Sequence, residues 1–85
     1  MDKSTHTHEY VVLRRLLIEL REKSGLTQTE LATKLDTTQS TISKFEKGER
    51  RLDVIQLRTI CVCLGVSLQE FIVDFEQRIS KRRKR

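Results

Sequence analysis

Residues 26–48, LTQTELATKLDTTQSTISKFEKG, decide how this chain reads. Thr27 stands three positions before Glu30, so hydroxyl and carboxylate can satisfy each other's backbone N–H groups as a capping box. Leu31 and Leu35 share one face of a helix predicted over residues 28–35, and Ala32 beside them is small enough for a close neighbour. Asp36 ends that run where a left-handed residue turns the chain, a conformation Asp tolerates better than most residues with a Cβ. Thr38 suits the N-cap of a second helix, and Gly48 suits the position just past its end. The stretch predicts two short helices joined by a tight turn.

The second helix, over residues 39–47, separates into two faces. At about 100° per residue, Thr41, Ile42 and Phe45 fall on an inner side. Gln39, Ser40, Ser43, Lys44 and Lys47 fall on the outer side, with Glu46 at its margin. Gln pairs bidentately with adenine, Ser with several base edges, and Lys with guanine or phosphate. A face of Ser and Gln without carboxylates favours readout of double-stranded DNA in the major groove over an ordinary solvated surface.

On these residues the chain resembles the Cro/CI-type helix-turn-helix domain, the XRE family of bacterial and phage transcription regulators. The likeness covers residues 13–72 and rests on LTQTELA, QSTISKFEKG and the later LGVSL taken together. It implies a compact, all-α, five-helix lambda-repressor-like fold with the helix-turn-helix at the second and third helices. It also implies that Gln28, opening the second helix, touches a phosphate and braces Gln39 toward a base. Ser40, Ser43 and Lys44 match base-facing or groove-facing positions. Arg21 and Glu46 match a buried structural ion pair that fixes the recognition helix against the first helix. Asp36 departs from the pattern, since Gly is commoner there.

The remainder reads as helix. Residues 9–24 place Leu13, Leu16, Leu17 and Leu20 at helical spacing. Asp53 with Gln56, and Ser67 with Glu70, are two more capping boxes. The helix after Asp53 carries Leu57, Ile60, Cys61 and Leu64 inward, and the last keeps Leu68, Phe71, Ile72, Phe75 and Ile79 in one stripe. The expected organisation is a disordered segment at 1–8, a helix-turn-helix domain at 9–80 and a basic tail at 81–85.

Charge is uneven: five of the 17 basic residues form residues 81–85, and the other 12 match the 12 acidic ones, so the tail carries the net +5. Such a tail attracts phosphate without sequence preference. Thr38, Lys47, Arg50 and Arg51, with Gln28, are the expected backbone contacts, although Glu49 and Asp53 are near enough to pair with the cations among them.

Other chemistry is weak. Cys61 and Cys63 lie about 200° apart around a helix, a poor disulfide geometry. No Cys and His set has zinc spacing, and His6 and His8 sit in the expected loose N-terminus. No nucleophile–base constellation or phosphate-cradling Gly loop appears, so no enzymatic activity, metal or cofactor is expected. No apolar run approaches the roughly 18 residues of a membrane span, and residues 1–9 lack the apolar core of a secretory signal, which predicts a cytoplasmic chain.

Ile55 and Val62 lie off the core face of their helix, and Phe75 and Ile79 extend the last stripe further than a five-helix domain needs. These four residues are the expected homodimer interface of a repressor or autoregulator that reads a pseudo-palindromic operator. Two alternatives stand beside that expectation. One is the antitoxin of a toxin–antitoxin pair, binding a toxin protein through Phe75, Ile79 and the tail. The other is the controller of a restriction–modification operon.

Overall fold

A computed structural model describes residues 7–83, with side chains described as far as Lys81. The chain forms five helices: α1 (His8–Lys23), α2 (Gln28–Lys34), α3 (Gln39–Lys47), α4 (Val54–Cys63) and α5 (Leu68–Arg83). Each begins at a side chain that satisfies the first unpaired backbone donors. Thr27 and Glu30 exchange hydrogen bonds at 3.0 and 2.9 Å, Asp53 and Gln56 at 2.7 and 2.8 Å, and Ser67 and Glu70 at 3.0 and 2.8 Å. Thr38 Oγ1 accepts from the Thr41 N–H at 3.2 Å to open α3.

Two differences from the sequence reading lie at the ends of the chain. Thr7 caps α1 through the Tyr10 N–H at 3.2 Å, so Thr7 and His8 belong to the helix rather than to a loose segment. The other residues expected to be disordered, 1–6, lie outside the described residues. In the basic run at 81–85, the backbone of 81–83 continues α5, and 84–85 lie outside the described residues.

The core draws on every helix: Leu16 and Leu17 from α1, Leu31 and Ala32 from α2, Ile42 and Phe45 from α3, Leu57, Ile60 and Cys61 from α4, and Phe71 from α5. Fully burying one such Leu, Ile or Phe side chain contributes about 1.5–3 kcal/mol. The turn between α2 and α3 passes through Asp36 at φ 58, a left-handed residue that lets the two short helices pack on each other. α1 lies against both α3 and α5, and α4 packs on α5.

The packing corrects the reading of α5. Ile79 is 6% exposed and Phe75 is half-buried against the core, so both are filled positions within the monomer. Ile72, expected inside the stripe, is 39% exposed. The cause is the path of α5 along α1. Arg78 donates to both carboxylate oxygens of Glu19 at 2.8 and 3.2 Å and to Asp74 Oδ1 at 3.1 Å. Those bonds link the later turns of α5 to α1, while Ile72 and Val73 lie on its exposed side. Hydrogen bonding to Arg78 holds the Glu19 carboxyl below the usual carboxylate range.

Cys61 is fully buried and Cys63 half-buried, and both are free thiols. Burial pushes the Cys61 thiol from 9.0 up to about 11. Below the lower value the thiol is neutral in folded and unfolded chains alike. Between the two values only the unfolded chain ionises, so the stability present below pH 9.0 declines as pH rises toward about 11. The urea midpoint should therefore fall over that window in the parent protein and fall less in Cys61→Ala.

Candidate nucleic-acid interface

The outer face of α3 is built on two anchors, one beneath its start and one at its end. At the start lies a chain of polar side chains from three helices. Arg21, late in α1, donates from Nε to Glu46 Oε2 at 2.7 Å and from Nη2 to Glu46 Oε1 at 3.1 Å. Its third nitrogen, Nη1, donates to the Leu26 carbonyl at 2.8 Å. Arg21 and Glu46 are 12% and 9% exposed, and the hydrogen bonds to Glu46 raise the Arg21 guanidinium further above its ordinary value.

Glu46 has a second partner. Gln28, the first residue of α2, donates from Nε2 to Glu46 Oε1 at 2.8 Å. Gln28 Oε1 in turn accepts from Gln39 Nε2 at 2.7 Å. A run of hydrogen bonds thus leads from a buried guanidinium to the first, exposed residue of α3.

At the other end, Arg14 of α1 donates from Nη1 to the Glu46 carbonyl at 2.9 Å, capping the last turn of α3. Gly48 takes φ 80 there, and a Cβ built on it would stand 2.9 Å from Arg14 Nε. The conformation favours glycine, and a larger residue would also push the Arg14 guanidinium aside. Tyr10, one turn before Arg14, accepts the Leu52 N–H at 2.8 Å and ties down the segment after α3. Sequence reasoning missed both residues. The available signal was their spacing, since Tyr10, Arg14 and Arg21 repeat on one stripe of α1.

The outward residues fall as follows. Gln39, Ser40, Lys44 and Lys47 are exposed, and Ser43 is half-buried on the same helix. Thr38 is exposed, but its hydroxyl is engaged with the Thr41 N–H and lies 3.0 Å from the Thr41 hydroxyl. Gln28 is half-buried beside Gln39, while Arg50 and Arg51 are exposed just past α3. The exposed surface of α3 carries no carboxylate, because Glu46 is turned inward. This gathers hydrogen-bonding and cationic groups on a single short helix, which suits the major groove of B-DNA in width. Ile55 and Val62 are 68% and 57% exposed on α4, apart from Phe75 and Ile79.

Among the described residues no group of three or more His, Cys, Asp or Glu is placed to hold a metal ion. No single described helix is long and apolar enough to cross a membrane.

Comparison with known proteins agrees with the fold. The helix-turn-helix family model matches residues 17–71. A control protein from a Mycoplasma species, C.MunI, is 32% identical over 57 residues, which is 67% of this chain and 77% of that protein. An uncharacterised HTH-type transcriptional regulator from Sinorhizobium fredii, y4dJ, is 34% identical over 58 residues, covering 68% of this chain and 75% of the other. The solved structure of an XRE-family like protein from Pseudomonas syringae pv. tomato superposes with a TM-score of 0.81 at 39% identity, covering 89% of this chain and 93% of that one.

The two kinds of ion pair here should respond differently to mutation. Arg21→Met leaves the Glu46 carboxylate buried without its cation, and removing one partner of a buried pair costs about 3–5 kcal/mol. Arg78→Met breaks exposed pairs with Glu19 and Asp74 and should cost under about 1 kcal/mol. Urea unfolding followed by circular dichroism compares the two directly.

Proposed function

The chain belongs to the XRE family of helix-turn-helix, DNA-binding transcription regulators, and we propose that it acts as a sequence-specific repressor or autoregulator by occupying a promoter as a homodimer. The observation that carries this reading is the exposed, carboxylate-free face of α3 with Gln39 held against Gln28. Gln39, Ser40, Ser43 and Lys44 read base edges in the major groove. Gln28, Thr38, Lys47, Arg50 and Arg51 set the helix against the phosphates. The basic run at 81–85 adds attraction without sequence preference and steepens the salt dependence. A cytoplasmic location fits this reading.

Dimerisation is supported by the apolar side chains left outside the core. Val54, Ile55 and Val62 of α4, with Ile72 and Val73 of α5, are all more than a third exposed. In a symmetric dimer the two α3 helices would meet half-sites about 10 bp apart, one helical turn along the duplex. Phe75 and Ile79 leave the interface and remain as its support from within.

The likeness to a control protein favours the narrower reading of a restriction–modification controller, a short regulator of its own operon. The toxin-binding reading draws less support from Ile79, which is buried within the monomer, than from the half-buried Phe75.

Selection from genomic fragments at roughly 150 mM salt should enrich a short two-fold-symmetric site. Diffuse, salt-labile binding alone would overturn specific regulation. Gln39→Ala should relax preference at one base position in each half-site. Lys47→Ala should weaken binding to all sequences alike and reduce the salt slope by about 1. In equilibrium sedimentation the parent chain should be dimeric at micromolar concentration. Val62→Asp should be monomeric with an unchanged helical spectrum, and a monomeric parent with and without DNA would end the dimer reading.

A further inference from the structure

We propose that Glu46 is a specificity-determining positioning residue, whose buried carboxylate fixes which end of the Gln39 amide is left for the DNA. This rests on the reading of Gln39 as a base-contacting residue.

A carboxylate only accepts hydrogen bonds, and a guanidinium only donates them, whereas a Gln amide has one accepting and one donating end. Arg21 engages both oxygens of Glu46, at 2.7 and 3.1 Å, and so holds the carboxylate in place. The pair is nearly closed to solvent, at 12% and 9% exposure, and water is a poor substitute partner there. Facing a pure acceptor at 2.8 Å, Gln28 must turn its NH2 group inward. Its Oε1 therefore faces Gln39, and Gln39 must answer with Nε2, at 2.7 Å. The polarity set at Glu46 is handed on without choice at either step.

The consequence at the surface is definite. One N–H of Gln39 is engaged, which leaves its Oε1 and the remaining N–H. A neighbouring acceptor and donor match adenine, whose major-groove edge offers the N6 donor beside the N7 acceptor. They mismatch guanine, where O6 and N7 both accept. A carboxylate that never reaches the DNA thereby favours one base over another.

Glu46→Gln keeps the size and reverses the polarity. Its amide oxygen takes the shorter Arg21 bond, the one from Nε at 2.7 Å, so its NH2 stands where Oε1 was, gives up the 3.1 Å bond from Nη2 and faces Gln28. Gln28 then turns over and donates to Gln39, whose oxygen is engaged and whose N–H groups are left outward. A binding-site selection with the full chain compares the parent, Gln39→Ala, Glu46→Gln and Gln28→Leu, each first checked for folding by circular dichroism. The expected result has Gln39→Ala abolishing an adenine preference at one position. At that position Glu46→Gln lowers the adenine preference at least about fivefold, the lower end of what one bidentate contact contributes, and raises guanine. A purely structural role would weaken all positions together.

If Glu46→Gln does not fold, Gln28→Leu decides the matter. It keeps the Arg21–Glu46 pair and frees Gln39, so the adenine preference should flatten at that position alone. Full retention of the adenine preference in a folded Glu46→Gln or Gln28→Leu protein would overturn the relay and leave Gln39 as a base reader. Loss of a preference for a base other than adenine in Gln39→Ala would overturn the polarity in the same way. An unchanged selected site in Gln39→Ala would remove Gln39 as a reader, and the relay with it.

Discussion

The hydrogen-bonded ion pair between Arg21 and Glu46 is the constraint around which the domain is arranged. It joins the end of α1 to the last turn of α3 across 25 residues of sequence, with both groups largely removed from water. Removing charges from water is costly, and the cost is offset only where geometry is good and the remaining hydrogen-bonding capacity is used. Here three donors of Arg21 and three acceptor sites of Glu46 are used: Arg21 also holds the Leu26 carbonyl at the entrance to α2, and Glu46 also holds Gln28. Three helices are registered against one another by a single carboxylate. The apolar core alone, with its non-directional attraction, would leave the rotation of α3 about its axis less well defined.

Around that pair the chain segregates its tasks. The inner sides of α2 and α3 supply Leu31, Ala32, Ile42 and Phe45 to the core, while their outer sides carry small polar and cationic residues. α4 and α5 close the core from beneath, and α5 continues along α1 under the hold of Arg78. Among the described residues, the large apolar side chains left exposed are on α4 and α5, and Ile55 borders a groove it shares with Thr37 and Thr41. The proposed recognition surface and the proposed dimer surface therefore lie on different helices.

What the sequence made legible was local. Thr27 with Glu30, Asp53 with Gln56 and Ser67 with Glu70 signal their helices within three residues, and the structure forms each box. Asp36 at the turn was likewise readable from the tolerance of Asp for left-handed backbone. The contact between Gln28 and Gln39 was accessible only through resemblance to a family, since nothing in their spacing requires it. The Arg21–Glu46 pair was likewise reached through that resemblance, and the other long-range features were not legible. Arg14 reaches a backbone carbonyl 32 residues away, and a carbonyl has no signature in a sequence. Phe75, Ile79 and Ile72 lie on one periodic stripe, yet which of them is covered depends on how α5 is rotated against α1. Periodicity identifies an apolar face without naming what lies against it, and here the monomer itself buries Ile79 and half-buries Phe75.

The double anchoring of α3 has a thermodynamic meaning. Gln28 engages its first residue, and Arg14, packed where Gly48 has no Cβ, engages its last turn. The helix is thus ordered before any duplex arrives, and binding has to immobilise only a few outward side chains. The conformational entropy of the backbone is lost during folding and is not charged again on association. The same division makes the reading surface replaceable. Neither the Ser40 nor the Lys44 side chain is part of the two anchors, so under the proposed reading a lineage can exchange them and acquire a new operator while keeping the scaffold that presents them.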